Sequence, residues 1–240
     1  MAIVSNTVDY LDGDAVLEGF FAYDDALDGR RPAVLISHAW GGRDEFVADK
    51  AKKLAELGYV GFALDIYGKG KRGNSIEENS QLMQPFMDDR AMLQRRIAAA
   101  LSAVKLLPWV DDQMIAAIGF CFGGLCVLDL ARTGADLKGV ASFHGLLIPP
   151  GNLVATDIKA KVLVMHGNDD PMAPVDHVVA LEKELTDAGA DWQIHVYGNT
   201  VHAFTNPLAN DPGFGTVYNS LADNRSWKSL LAFLQEAFAR

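Results

Sequence analysis

Besides residues 192–197, which read as a strand, short continuous apolar runs recur along the chain, at residues 33–37, 59–65, 114–118, 139–143 and 161–165. Each is bounded by a polar or glycine-containing cluster and reads as a buried strand. Between them lie stretches of helical character, near 46–57, 85–107, 125–131, 175–188 and 224–238. In the 85–107 stretch, Leu93, Ile97, Leu101 and Val104 form a stripe at helical spacing, and Pro108 stops it. Residues 71–84 are polar and read as loop with some helix. Residues 16–23 are strand-like between Asp-rich turns, which suits early antiparallel strands. Strands alternating with helices predict an α/β fold: a mainly parallel central sheet with helices on both faces. In such sheets functional groups gather beyond the carboxyl ends of the strands.

The run 114–118 leads into Gly119-Phe120-Cys121-Phe122-Gly123-Gly124 and then into a helix. A strand passing into a helix through Gly-x-Cys-x-Gly is a nucleophile elbow. The apex residue sits in strained backbone, so the positions two before and two after it must lack bulk. Gly119 and Gly123 meet that need. A thiol there lies at a helix N-terminus, where the macrodipole and N–H groups favour the thiolate and can bind an oxyanion. An inert thiol in a glycine-rich turn is the plainer alternative.

Composition narrows the field. The 240 residues, half of them hydrophobic, suit one domain, 1–240. A net charge of −10 argues against a nucleic-acid partner. No run reaches the length of a membrane span, and residues 1–14 do not read as a signal peptide. Two cysteines, Cys121 and Cys126, make a poor disulfide framework, so a cytoplasmic location is expected. Cys126, inside the elbow helix, reads as a small core residue.

Two further loops complete a constellation. Asp169 and Asp170 follow the strand at 161–165, and His202 follows the strand at 192–197. Nucleophile, acid, histidine is the chain order of an α/β-hydrolase. In that scheme Cys121 attacks a carbonyl, His202 moves the proton, and Asp170 holds the imidazole. The backbone N–H groups of Phe122 and Ala39 would form the oxyanion hole.

These blocks, with His166-Gly167-x-x-Asp170-Pro171, His202-Ala203-Phe204 and Asp65-Ile66-Tyr67-Gly68-Lys69-Gly70, resemble the dienelactone hydrolase family of α/β-hydrolases. The likeness covers about residue 33 to the C-terminus. It implies a Cys–His–Asp triad cleaving a small ester or lactone, with no metal and no organic cofactor, and favours Asp170 over Asp169. Two positions depart from the family pattern. His38 stands where a Glu is typical at the end of the first buried strand, and Asn206 where an Arg would anchor a substrate carboxylate. The second change removes a bidentate anchor, so a neutral ester, lactone or thioester becomes as plausible as dienelactone.

His38, Trp40, Tyr67 and Phe204 are candidate pocket residues at the same sheet edge, with loop anchoring as the alternative. Arg43, Arg72 and Arg90 are candidate substitutes for the anchor or surface residues. His166 reads as a hydrogen-bonded residue shaping the Asp170 loop, and His144 and His195 as structural. A catalytically silent binding domain and a redox-sensing thiol protein are the alternative functions. The expected partner is a small molecule, and the chain a monomer or homodimer.

Overall fold

The computed structural model describes residues 2–153 and 157–239. Two compact units divide the chain, residues 1–118 and 119–240. The first holds β1 (Ile3–Asp12), β2 (Ala15–Asp24), β3 (Arg31–Ser37), α1 (Glu45–Glu56), β4 (Val60–Ala63), α2 (Ile76–Asp88) and α3 (Arg90–Lys105). Strand β5 (Val110–Phe120) carries the chain from the first into the second. There follow α4 (Phe122–Arg132), β6 (Gly139–Phe143), β7 (Lys161–Gly167), α5 (Val175–Asp187), β8 (Trp192–Tyr197), a short hairpin of β9 (Asn210–Asp211) and β10 (Thr216–Val217), and α6 (Ser220–Ala237). Eight strands make a mainly parallel sheet in the order β1-β2-β4-β3-β5-β6-β7-β8, the α/β-hydrolase arrangement.

In the first unit β1 and β2 form the antiparallel edge that the alternation at 16–23 suggests, with Leu11 opposite Val16 and Asp12 opposite Ala15. β2 pairs antiparallel with β4, and β4 pairs parallel with β3. The whole of β4 and most of β3 are buried, which is why their sequences are continuous apolar runs rather than alternating ones. Helix α1 lies directly on this layer. A Cβ at Gly61 would come within 2.5 Å of the Ala51 Cα, so glycine is what lets the helix approach.

One long helix at 85–107 is not what forms. The chain makes two, α2 and α3, broken at Asp89. The Asp89 N–H donates to the Pro85 carbonyl (3.0 Å), closing α2, and its carboxylate accepts from the Met92 N–H (2.9 Å), opening α3. Helix α2 also reaches back into the segment read as loop. Ser75 caps it by accepting from the Glu78 N–H (3.1 Å), and Glu78 accepts from the Asn74 N–H (2.8 Å). The stripe Leu93, Ile97, Leu101 and Val104 is buried on α3 as its spacing demands.

In the second unit β6, β7 and β8 are parallel and in register, with α4 packed on β6 and α6 on β6 and β7. Leu125, Val127, Val140, Val162, Leu163, Leu230 and Leu234 are wholly buried there. Burying each such side chain contributes roughly 1.5–3 kcal/mol before chain entropy is counted. Arg132 at the end of α4 is buried with its charge satisfied. It donates to Asp129 (3.1 Å), to both carboxylate oxygens of Glu184 on α5 (2.7 and 2.8 Å) and to the Leu147 carbonyl (3.3 Å).

Candidate active site

The elbow forms where β5 meets α4. Cys121 has φ 55° and ψ −118°, a region that L-residues rarely occupy and that neighbouring packing must enforce. Two features enforce it. A Cβ on Gly119 would overlap the Gly123 carbonyl and lie 2.8 Å from the Gly124 nitrogen. The Cys121 N–H donates to the Phe143 carbonyl at the end of β6 (3.0 Å). Gly124, one position beyond the elbow pattern, is needed as well: a Cβ there would lie 2.7 Å from the Gly145 Cα. The outcome is a half-buried thiol at the N-terminus of α4, with Phe122 as the first helical residue.

Asp170 follows β7 and is buried, whereas its neighbour Asp169 is exposed. One oxygen of Asp170 accepts from the N–H groups of Met172 (2.8 Å) and Ala173 (3.3 Å), which fixes the carboxylate. The other lies 2.7 Å from His202 Nδ1. His202 is 1 % exposed, so this pair is sealed from solvent. The short β9–β10 hairpin carries the histidine. The His202 N–H donates to the Gly215 carbonyl (3.0 Å), and the Val217 N–H donates to the His202 carbonyl (3.2 Å).

Cys121 is, besides Asp170, the group whose charge and hydrogen bonding act on the His202 ring. Burial opposes protonation of His202. The negative charge of Cys121, the hydrogen bonds to Asp170 and Cys121, and the charge of Asp170 outweigh it, and the imidazole is pushed up to about 10. Charge and hydrogen bonding from both neighbours thus favour the protonated imidazole.

Other histidines behave differently. Neither ring nitrogen of buried His166 has a hydrogen-bond partner in the protein, so this residue does not shape its loop by hydrogen bonding as its sequence context suggests. Burial first, and then the proximity of His202, hold it below the ordinary histidine range against the pull of Asp170. His144, after β6, takes part in the site. Its ring lies edge-on to His202 with centroids 5.2 Å apart, and its Nε2 is 2.7 Å from Thr205 Oγ1. Nothing in the local sequence around His144 marks this; its place at the carboxyl end of a strand is the available signal. Phe204 is fully buried, edge-on to His144 (5.0 Å) and Tyr197 (5.5 Å).

The remaining candidates lie in the first unit, around the loops after β3 and β4. His38 is wholly buried and both ring nitrogens serve the backbone: Nδ1 donates to the Ala39 carbonyl (2.7 Å) and Nε2 accepts from the Ile66 N–H (3.2 Å). Burial pushes it below the ordinary histidine range. The Tyr67 hydroxyl donates to the Trp40 carbonyl (2.8 Å), and its ring packs against His38 and Phe86. Asp65 gathers these loops by accepting from the N–H groups of Glu18, Tyr67 and Gly68. Arg43 is engaged by Glu18, Arg72 is exposed and Arg90 is buried. Asn206 folds back on its own loop, accepting from the Leu208 N–H (3.0 Å). Among the described residues no cluster of three or more His, Cys, Asp or Glu is placed to hold a metal ion, and no helix is long and apolar enough to cross a membrane.

Fold and elbow together define an α/β-hydrolase-type protein, and comparison with known proteins narrows the class. The profile of the dienelactone hydrolase family matches residues 17–238, and the chain belongs to that family. It is 37 % identical to the dienelactone hydrolase-like promiscuous phosphotriesterase P91 from metagenomic libraries, covering 100 % of both chains with a TM-score of 0.93. A second solved structure, m3DLH, is 34 % identical over 100 % of both chains with a TM-score of 0.94. An uncharacterized protein of Caenorhabditis elegans is 39 % identical over 158 residues, 63 % of this chain and 98 % of that protein.

Proposed function

We propose that this hydrolase cleaves a small, neutral ester or lactone through an acyl-cysteine intermediate. The observation that carries the reading is the buried 2.7 Å bond between Asp170 and His202, with the far side of the imidazole left to the charge of Cys121. In the first half-reaction the Cys121 thiolate adds to the carbonyl carbon. The tetrahedral oxyanion collapses, the C–O bond breaks, and His202 gives its proton to the departing alkoxide. In the second, His202 takes a proton from water, the hydroxide adds to the thioester, and the acid leaves as Sγ is released. Asp170 holds the tautomer that keeps Nε2 for this traffic. The N–H of Phe122, at the first position of α4, is our choice for an oxyanion donor, with Ala39 as the expected second.

A neutral substrate follows from Asn206, whose side-chain oxygen is engaged within its own loop and carries no charge to hold a carboxylate. The similarity to a promiscuous phosphotriesterase makes a phosphotriester the second substrate class to test.

The experiment is pre-steady-state hydrolysis of 4-nitrophenyl acetate, with intact mass recorded alongside. A stoichiometric burst and an acetyl adduct are expected, both lost in Cys121→Ala. A folded wild-type protein giving neither with esters, lactones or phosphotriesters would return the chain to a silent binding domain. A thiol oxidised by dilute peroxide in a protein without hydrolase activity would favour the redox reading instead.

A further inference from the structure

Among the described residues, four non-glycine positions have positive φ: Cys121 (55°), His144 (37°), Asn199 (52°) and Ala203 (57°). All four lie in the second unit, in the loops beyond β5, β6 and β8. Strained backbone persists only where surrounding structure enforces it, and it collects at functional sites. Cys121 and Ala203 are accounted for by the elbow and by the loop that carries His202. His144 is not explained by the proposed chemistry.

The structure shows what holds His144 and what it touches. Its N–H donates to the Met165 carbonyl on β7 (2.8 Å), which anchors its backbone. Its ring is buried, edge-on to both His202 and Phe204, and hydrogen-bonded to Thr205. One side chain therefore contacts the imidazole of His202 and is bonded to the residue three further along the same loop. Asp170 grips His202 at a single atom, Nδ1. One hydrogen bond does not by itself fix the plane of a ring that can turn about Cβ–Cγ, and a turned plane would carry Nε2 away from the thiol. A second contact is needed to set the ring plane.

We propose that His144 is a positioning residue for His202, its ring setting the imidazole plane while its bond to Thr205 locks both into one loop. The inference rests on the triad reading above. His144 need not exchange a proton with substrate; it acts through His202.

The test pairs His144→Phe, which keeps a ring but loses the nitrogen, with Thr205→Val, which removes the hydroxyl from the other end of the same bond. Each is expected to lower kcat for 4-nitrophenyl acetate about tenfold with KM within about twofold, since misorientation costs the chemical step rather than binding. The double variant should lose no more than either single one, because both break the same link. His144→Gln, whose amide nitrogen can reach the Thr205 hydroxyl but which has no ring to lie against His202, should recover little of kcat. Wild-type kcat in folded His144→Phe and Thr205→Val, or a double variant with the product of the two losses, overturns the proposal. Should His144→Phe fail to fold, Thr205→Val decides alone. Cys121→Ala and His202→Ala run in parallel separate the two levels. If they hydrolyse normally, the triad reading falls and the positioning role with it. If they are inactive while the His144 and Thr205 variants are unaffected, the positioning role alone falls.

Discussion

Gly215 joins the two loops that bring Asp170 and His202 together, and its replacement by alanine is the most direct probe of how they are aligned. Its carbonyl accepts the His202 N–H (3.0 Å), and its Cα packs on Pro171, the residue after Asp170. Its φ is 77°, which glycine adopts freely and alanine does not, at a cost of about 1–2 kcal/mol. The new Cβ would also overlap Pro171 Cγ and stand 3.0 Å from Cδ. Overpacking of this kind costs about 1–3 kcal/mol. Together these give a loss of about 2–5 kcal/mol, or roughly 4–20 °C in Tm for a protein of this size. Relief of the overlap must push the hairpin from the Asp170 loop, and a shift of about 1 Å at the imidazole would cost about 100-fold in kcat. The reasoning makes a sharper claim about the double variant. In Gly215→Ala/Pro171→Ala the overlapping Cγ and Cδ are gone, and the Pro171 Cβ, at 3.7 Å, is in ordinary contact. The overlap cost should vanish while the φ cost stays. Tm should therefore recover by the overlap share, about half or somewhat more of the loss, and kcat should recover toward that of Pro171→Ala alone. Thermal melts and initial rates on the four proteins read this directly. A Gly215→Ala protein with wild-type Tm and kcat refutes the wedge. So does a folded double variant no better than Gly215→Ala.

Two further outcomes are expected. Arg132→Ala removes a buried cationic partner of the Asp129 carboxylate and unties α4 from Glu184 on α5, and should cost about 3–5 kcal/mol in urea denaturation, with Arg132→Lys intermediate because the fork geometry is lost. The pH dependence of stability should carry the signature of His202. Its folded value, about 10, lies above the unfolded value near 6.5, so its contribution is complete below about 6.5 and is lost as pH rises through about 10. Tm should fall over that window in the wild type and fall less in Cys121→Ala, because the thiol's charge is the largest influence raising the imidazole; identical slopes would contradict the charge assignment.

The features legible in the sequence are those written in consecutive residues. The elbow is local, because Gly119, Cys121 and Gly123 must share one tight turn for the thiol to stand clear. The Asp170 loop follows an apolar run whose burial on both sides requires it to be continuous, so the end of that run was visible. The family could be named from the same blocks.

What tertiary structure decided are relations between residues far apart in the chain. His144 acquires a role only because β6 brings it beside residues 202–205, some sixty positions away. Gly215 matters because a two-stranded hairpin too short for any periodicity places it between His202 and Pro171. His166 shares its loop with Asp170 but folds with both nitrogens unbonded to protein, which no local pattern encodes. The break at Asp89 was locally written, yet one Asp can serve a helix interior as well as end one helix and cap the next, and the stripe that marks the helix begins only at Leu93. Local sequence, then, specified which groups could do chemistry and on which loops they stood. Their orientation depends on packing between strands and loops that the chain brings together only when folded, and on that orientation rests the proposal that a thiol, an imidazole and a carboxylate work as one site.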